Sequence, residues 1–246
     1  MLQAPVRLYC RNSALAELEA ISAVIASKFE LHAVPDGLKT AEIDLVRPCL
    51  WLDHDGLGLL TPERTNPFRL NVDRFRQRLT ASTDLVRACG LAGRHNSPVR
   101  ILDVFAGFCI DALTLDSAGA EVTAVESNGL IFSLAKDFIH RLDAGVVLQQ
   151  GDGQLVLAAP SLEWDVVYLD PMFAPRSKAA LPGLAAQVLR EIAEPERMSE
   201  DRALGYIDNA LQTARRVVFK RPAKDPVLGV PNHQIKGRSV RFDVYL

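Results

Sequence analysis

From residue 99 onward the chain alternates short apolar runs with segments whose apolar residues fall at helical spacing. "VRILDV" (99–104), "EVTAVE" (121–126), "VVLQQ" (146–150) and "WDVVYLD" (164–170) read as strands. Between them, "CIDALTLDSAG" reads as a helix closing at Gly119. "SNGLIFSLAKDFIHRL" places Leu130, Leu134 and Phe138 on one helical face, with Ser127 positioned to cap it. Two further helices fall within 182–194 and 199–214, followed by the strand "RVVFK" (216–220). This alternation builds a parallel sheet with helices on its faces, because parallel neighbours need a long crossover that a helix supplies. The closing "QIKGRSVRFDVYL" alternates Val240, Phe242 and Val244, which predicts a terminal hairpin or antiparallel strand. The expected class is α/β, a Rossmann-like sheet that is mostly parallel with an antiparallel C-terminal strand.

Residues 1 to about 60 have a different texture. "VRLYC" predicts a strand, residues 13–28 a helix, and "AEIDLV", "CLWLDHD" and "LGLL" short strands, a small α+β appendage. Pro62 and Pro67 mark the change, so the chain divides into an appendage over 1–75 and a Rossmann-like domain over 76–246. A hydrophobic content of 48% over 246 residues is enough for a sizeable core. No basic segment followed by an apolar stretch opens the chain, and no apolar run is long enough to span a membrane, so a cytoplasmic location is expected. Cys10, Cys49, Cys89 and Cys109 are scattered without a paired spacing, and the five histidines show no ligand spacing, so no metal site or disulfide framework is expected.

The strand ends carry the chemistry, because open α/β sheets bind ligands at the carboxyl ends of their strands. Asp103 tips the first strand, and Gly107 follows at the turn into the helix. Glu126 ends the second, 23 positions after Asp103, where an acid can accept hydrogen bonds from both hydroxyls of a ribose. "QGDG" puts Asp152 after the third, within reach of an adenine amino group. A dinucleotide fingerprint needs G-x-G-x-x-G, but this loop reads "AGFCIDA", with Cys109 at the second glycine position. A cofactor without phosphates suits that loop better, and S-adenosylmethionine is the candidate. Its cationic centres also suit the charge distribution: residues 101–170 carry a net −9, between segments of +5 at 61–100 and +5 at 171–246, with −3 over 1–60.

The fourth strand runs into "DPMF", residues 170–173. A nucleobase amino group is a poor nucleophile because its lone pair is delocalised into the ring, so it must be held in line with its protons given to acceptors. Asp170 supplies a carboxylate, Pro171 fixes the turn without adding a competing N–H, and Phe173 can stack on the base. The motif resembles the [DN]PP[FYW] motif of amino-directed methyltransferases, with Met172 at the second proline.

At "VVYLDPMFAPRSKAAL", "RVVFKRP" and "KGRSVRFDVY", in order with "LDVFAGFCIDAL" and "AVESN", the sequence resembles the RsmJ family of bacterial 16S ribosomal RNA guanine-N2 methyltransferases. The resemblance covers residues 99–246 well and the first hundred weakly. It implies a class I methyltransferase that uses S-adenosylmethionine to methylate one guanine near the 3′ end of 16S rRNA, as free RNA or within the 30S subunit. Carried over by position, it implies cofactor contacts at Ile110, Asp111, Glu126, Ser127, Asp152, Gly153 and Asp170. The family has a Gly-x-Gly-Arg-Asp run where this chain reads "GFCID". Arg176 and Lys178 after the motif, and Lys220, Arg221 and Lys224 after the next strand, are placed to hold RNA phosphates, with Lys236, Arg238 and Arg241 as additions. The rival readings are the same chemistry on another RNA, DNA or protein amine, a dinucleotide-dependent oxidoreductase, and a non-catalytic RNA-binding relative.

Overall fold

The computed structural model describes residues 5–25, 28–79, 83–93, 97–158, 164–171, 183–192 and 198–246. Two sheets organise them. The first contains β1 (Val6–Arg11), β2 (Phe29–Val34), β3 (Cys49–Asp53) and β4 (Gly56–Leu60), in the order β2-β1-β3-β4. β1 runs parallel to both neighbours, and helix α1 (Leu15–Ile25) makes the crossover to β2. β3 and β4 form a hairpin with Asp53 opposite Gly56. The turn is locked by Asp53, whose carboxylate accepts from the Asp55 amide and from the indole N–H of Trp51.

One strand here went unread and one expected strand is absent. β2 has no uninterrupted apolar run to announce it, since it is an edge strand that leaves Leu31 45% exposed. "AEIDLV" forms no strand: Thr40–Glu42 is a 3-10 turn, and Leu38, Ile43 and Leu45 pack over the fully buried Trp51. These apolar residues cover the outer face of the sheet instead of extending its edge.

Helices α2 (Val72–Arg78) and α3 (Thr83–Ala88) lead to the second sheet. It is built from β5 (Arg100–Asp103), α4 (Ile110–Ser117), β6 (Glu121–Glu126), α5 (Gly129–Leu142), β7 (Val147–Gln150), α6 (Gly153–Leu157), β8 (Val166–Leu169), α7 (Leu184–Ile192), α8 (Glu200–Thr213), β9 (Val217–Pro222), β10 (His233–Lys236) and β11 (Val240–Tyr245). The strand order is β10-β11-β9-β8-β5-β6-β7. β5 to β9 are parallel, and β11 lies antiparallel between β9 and β10. The predicted terminal hairpin is therefore present, while Asn128 caps α5 in place of Ser127, accepting from the amides of Leu130 and Ile131.

Both faces of this sheet are buried, which is why its strands read as runs rather than alternations. Leu102, Val104, Val167, Leu169, Val217 and Phe219 pack under α6 and α8. Ile101, Val122, Ala124, Tyr168 and Val218 face the other way, toward α3, α4 and α5. That second cluster continues through Phe132, Ala135 and Phe138 of α5 to Leu8, Cys10, Leu50 and Leu52, the inner face of the first sheet. One apolar cluster thus joins the two sheets through α5. The chain progresses outward in opposite directions from β5, toward β6 and toward β8, so the crevice at their carboxyl ends is the topological switch point.

Candidate active site

The five acids singled out above lie along this carboxyl edge. Asp103, at the end of β5, is only 1% exposed and accepts from the Phe105 amide at 3.2 Å. Burial raises its carboxyl pKa well above the usual range, and the nearby Asp111 and Asp170 push in the same direction. The loop after it is pinned on both sides. The Val104 amide donates to the Tyr168 carbonyl (3.1 Å) and the Ala106 amide to the Val125 carbonyl (3.0 Å). Gly107 then adopts φ +52° and donates its amide to Glu126 Oε2 at 2.9 Å.

Cys109 follows in the left-handed region, at φ 59°. For a side chain with a Cβ this conformation costs roughly 1–3 kcal/mol, which a glycine would avoid. The sequence puts cysteine where the resemblance implies glycine, yet the backbone adopts a glycine-like conformation. The thiol is fully buried in the core, so it is not the obstacle on the loop that the residue type suggested. Ile110 is 36% exposed at the start of α4, with Asp111 in the first turn beside it.

Glu126 ends β6 and joins two loops. One oxygen accepts from Gly107 and the other from the Asn128 amide at 2.7 Å. Burial raises its pKa to about 7, against the opposing pull of the backbone N–H groups of Asn128, Gly107 and Ser127. Ser127 beside it is exposed. Asp152 follows β7, caps α6 by accepting from the Gln154 amide at 2.8 Å, and remains exposed. Gly153 is buried where no side chain fits: an added Cβ would lie 2.3 Å from Val104 Cγ1 and 2.6 Å from the Val104 carbonyl oxygen. That contact holds the start of α6 directly against the end of β5.

Asp170 stands just past β8, 36% exposed, with Pro171 buried behind it. Its Oδ2 accepts from Lys220 Nζ at 2.8 Å. The same ammonium donates to Asp111 Oδ2 at 2.6 Å, and the Tyr168 hydroxyl donates to that oxygen at 2.6 Å. Crowding by protein atoms raises the Asp170 pKa; Lys220 pulls it down and Asp111 pushes it up. For Lys220, burial works against the charge, but Asp170 and Asp111 outweigh it and the pKa is raised. Phe173, Arg176 and Lys178 lie outside the described residues.

The basic residues expected to meet RNA divide into two groups. Lys220 is turned inward between its two carboxylates rather than offered to solvent. Arg221 is buried and pairs with Asp225 at 3.5 Å, and Arg241 is equally buried. Arg241 forks onto Asp243 and donates to the carbonyls of Ala223, Asp225 and Pro226, tying down the turn after β9. Each of these three is paired with a carboxylate of the protein, which commits its charge internally. Lys224, Lys236 and Arg238 are exposed. All three sit at the edge where β9 ends, since β10 runs parallel to β9 and the β10–β11 turn closes on the same side. Sequence reasoning missed Tyr168 as a polar anchor, since it sits inside an apolar run with nothing local to mark its hydroxyl.

Among the described residues, the edge gathers Asp103, Asp111, Glu126, Asp152 and Asp170, with Lys220 set between Asp111 and Asp170. Such a set of acceptors suits a cofactor bearing a sulfonium, an ammonium and a ribose diol, and it is poorly suited to a pyrophosphate. A family model described as "Putative SAM-dependent methyltransferase" matches residues 49–246. The solved SAM-dependent methyltransferase of Neisseria gonorrhoeae shares the fold, with a TM-score of 0.69 over 98% of this chain and 96% of that one at 24% identity. The protein is thus an S-adenosylmethionine-dependent methyltransferase with a Rossmann-like class I fold. The ribosomal RNA small subunit methyltransferase J of Alkalilimnicola ehrlichii is 33% identical over 92% of this chain and 90% of its own length. Its namesake in Thioalkalivibrio sulfidiphilus is 32% identical over 80% and 84%. The chain belongs to the ribosomal RNA small subunit methyltransferase J family.

Proposed function

We propose that this protein methylates the exocyclic N2 of one guanine in 16S rRNA, as free RNA or within the small ribosomal subunit, in the cytoplasm. The observation that carries the reading is the Asp170-Pro171 turn. It places a carboxylate, one oxygen fixed by a lysine, beside an acidic edge suited to S-adenosylmethionine, in a chain that resembles proteins named for this reaction. Glu126 would hold the ribose hydroxyls, Asp152 the adenine amino group, and the loop at Gly107 to Asp111 the methionyl end. The bound cofactor supplies an electrophilic methyl group on sulfur. Asp170 and a neighbouring backbone carbonyl would accept hydrogen bonds from the two N2 protons, which localises the lone pair and aligns it for attack. Methylation of N2 would release one proton, and Asp170 is the group placed to accept it. A carboxylate whose pKa is raised takes that proton more readily than a solvated one. Lys224, Lys236 and Arg238 rim the same edge and suit the flanking phosphates, and single-stranded or loop RNA lets the base leave its stack at low cost.

Transfer of a tritiated methyl group to unmodified 16S rRNA and to 30S subunits, followed by mapping of the labelled nucleotide, tests this. Label on N2 of one guanine is the expected result. Label confined to adenine or to protein would reassign the acceptor.

A further inference from the structure

We propose that Lys220 is a positioning residue for methyl transfer: clamped between Asp111 and Asp170, it orients the Asp170 carboxylate and leaves Oδ1 to receive the substrate amine. This rests on the functional reading above and goes beyond it, because the lysine was expected to bind phosphate. Lys220 Nζ lies 2.8 Å from Asp170 Oδ2 and 2.6 Å from Asp111 Oδ2, with both bonds on one oxygen of each acid. Among the described residues, Asp170 Oδ1 has no hydrogen-bond partner. The clamp is braced from a third element, since the Tyr168 hydroxyl holds the same Asp111 oxygen that Lys220 does.

Three secondary-structure elements therefore meet at one ammonium: β8 through Tyr168 and the following Asp170, α4 through Asp111, and β9 through Lys220 itself. A cofactor loop that ends in α4 and an acceptor carboxylate that follows β8 are thereby set relative to one another. The charges require the cation. Asp103 from β5, Asp111 from α4 and Asp170 crowd this point, with the buried thiol of Cys89 after α3 also near Asp111 and Asp103. Without Lys220, neighbouring carboxylates would share a poorly solvated space, and one would take up a proton. A protonated Asp170 is a hydrogen-bond donor and a worse acceptor of the amine protons. Lys220 is partly buried, 23% exposed, and both of its pairings are made within the protein, so its charge is committed before RNA arrives.

The test compares Lys220→Met, Lys220→Gln and Lys220→Arg with the wild type by two readouts. The first is the titration of the Asp170 carboxyl by carbon-13 NMR of aspartate-labelled protein, assigned by the resonance that Asp170→Asn removes. Removing a cation at this distance should raise that titration by about 1–3 pH units in the Met and Gln variants, and Arg should restore most of it. A titration that does not move overturns the clamp, whatever the substrate proves to be. The second is single-turnover methyl transfer to 16S rRNA. The maximal rate should fall and its acid limb move to higher pH, with RNA affinity and its salt dependence unchanged. Weaker RNA binding with a salt slope reduced by about one, at an unchanged maximal rate, would make Lys220 a phosphate contact and refute the proposal. If the wild type transfers no methyl to rRNA, the functional reading fails while the NMR titration still decides the clamp. Should the Met variant not fold, the Gln variant, which keeps a hydrogen-bond donor, provides the comparison.

Discussion

If Glu126 holds the ribose hydroxyls of the cofactor, as proposed above, its surroundings should make cofactor binding sensitive to pH. Its carboxyl titrates at about 7, because burial opposes the charge more than the three backbone N–H groups favour it. Ribose hydroxyls donate to a carboxylate, so S-adenosylmethionine selects the ionised form. Below neutrality, each pH unit then weakens binding about tenfold, or roughly 1.4 kcal/mol. At about pH 6 the dissociation constant should be on the order of tenfold higher than at about pH 8, with ~0.9 proton released per cofactor bound. Titration calorimetry in two buffers of different ionisation enthalpy measures both quantities. Glu126→Gln should bind on the order of 10 to 100-fold more weakly at neutral pH, from a lost charged acceptor worth about 1.5–3 kcal/mol, and should release no proton. Its amide N–H₂ would also face the Gly107 or Asn128 amide, donor against donor. The same group sets a stability trend. Its folded pKa is raised above the unfolded value of 4.5, so its contribution is fully present below that value and is lost as pH rises toward 7. A dissociation constant and proton count that stay constant from about pH 5.5 to 7.5, or a Gln variant that releases the same protons as the wild type, would refute the reasoning.

Other expectations follow from the same geometry. Gly153→Ala should force α6 away from β5, since its Cβ would lie 2.6 Å from the Val104 carbonyl oxygen; a cofactor affinity loss of at least tenfold, measured by calorimetry, is expected together with a lower melting temperature. Arg241→Met strips the buried Asp243, itself 0% exposed, of its guanidinium and should destabilise the fold by about 3–5 kcal/mol in denaturant titration. Lys224→Glu combined with Arg238→Glu should weaken rRNA binding and flatten its salt dependence while leaving cofactor affinity unchanged, which filter binding at several salt concentrations would show.

How much was legible in the sequence depended on how local each signal was. The βαβ succession could be read because a doubly buried strand needs a continuous apolar run and a covering helix needs a 3.6 period, so β5 to β9 fell where expected. Asp103, Glu126, Asp152 and Asp170 could be placed on one edge because parallel strands end on the same side. The clamp could not be read. Tyr168 and Asp111 are 57 positions apart, Lys220 and Asp111 109, and only the pairing of β8 with β5 and β9 brings them together. Lys220 looked available to phosphate for the same reason, whereas Arg221 and Arg241 have their carboxylates only four and two positions away, and it was their burial that could not be read. "AEIDLV" was misread because an apolar alternation marks burial on one side without saying whether backbone pairing accompanies it. At α5, Ser127 and Asn128 are both good caps, and the choice fell to the residue adjoining the helix.

The decisive measurement is single-turnover methyl transfer to 16S rRNA by the Asp170→Asn variant, alongside its affinity for S-adenosylmethionine. If this side chain grips the guanine amine, the rate should fall by about 10²–10⁴-fold with cofactor affinity close to the wild type. A variant that methylates at the native rate would show that the amine is activated elsewhere.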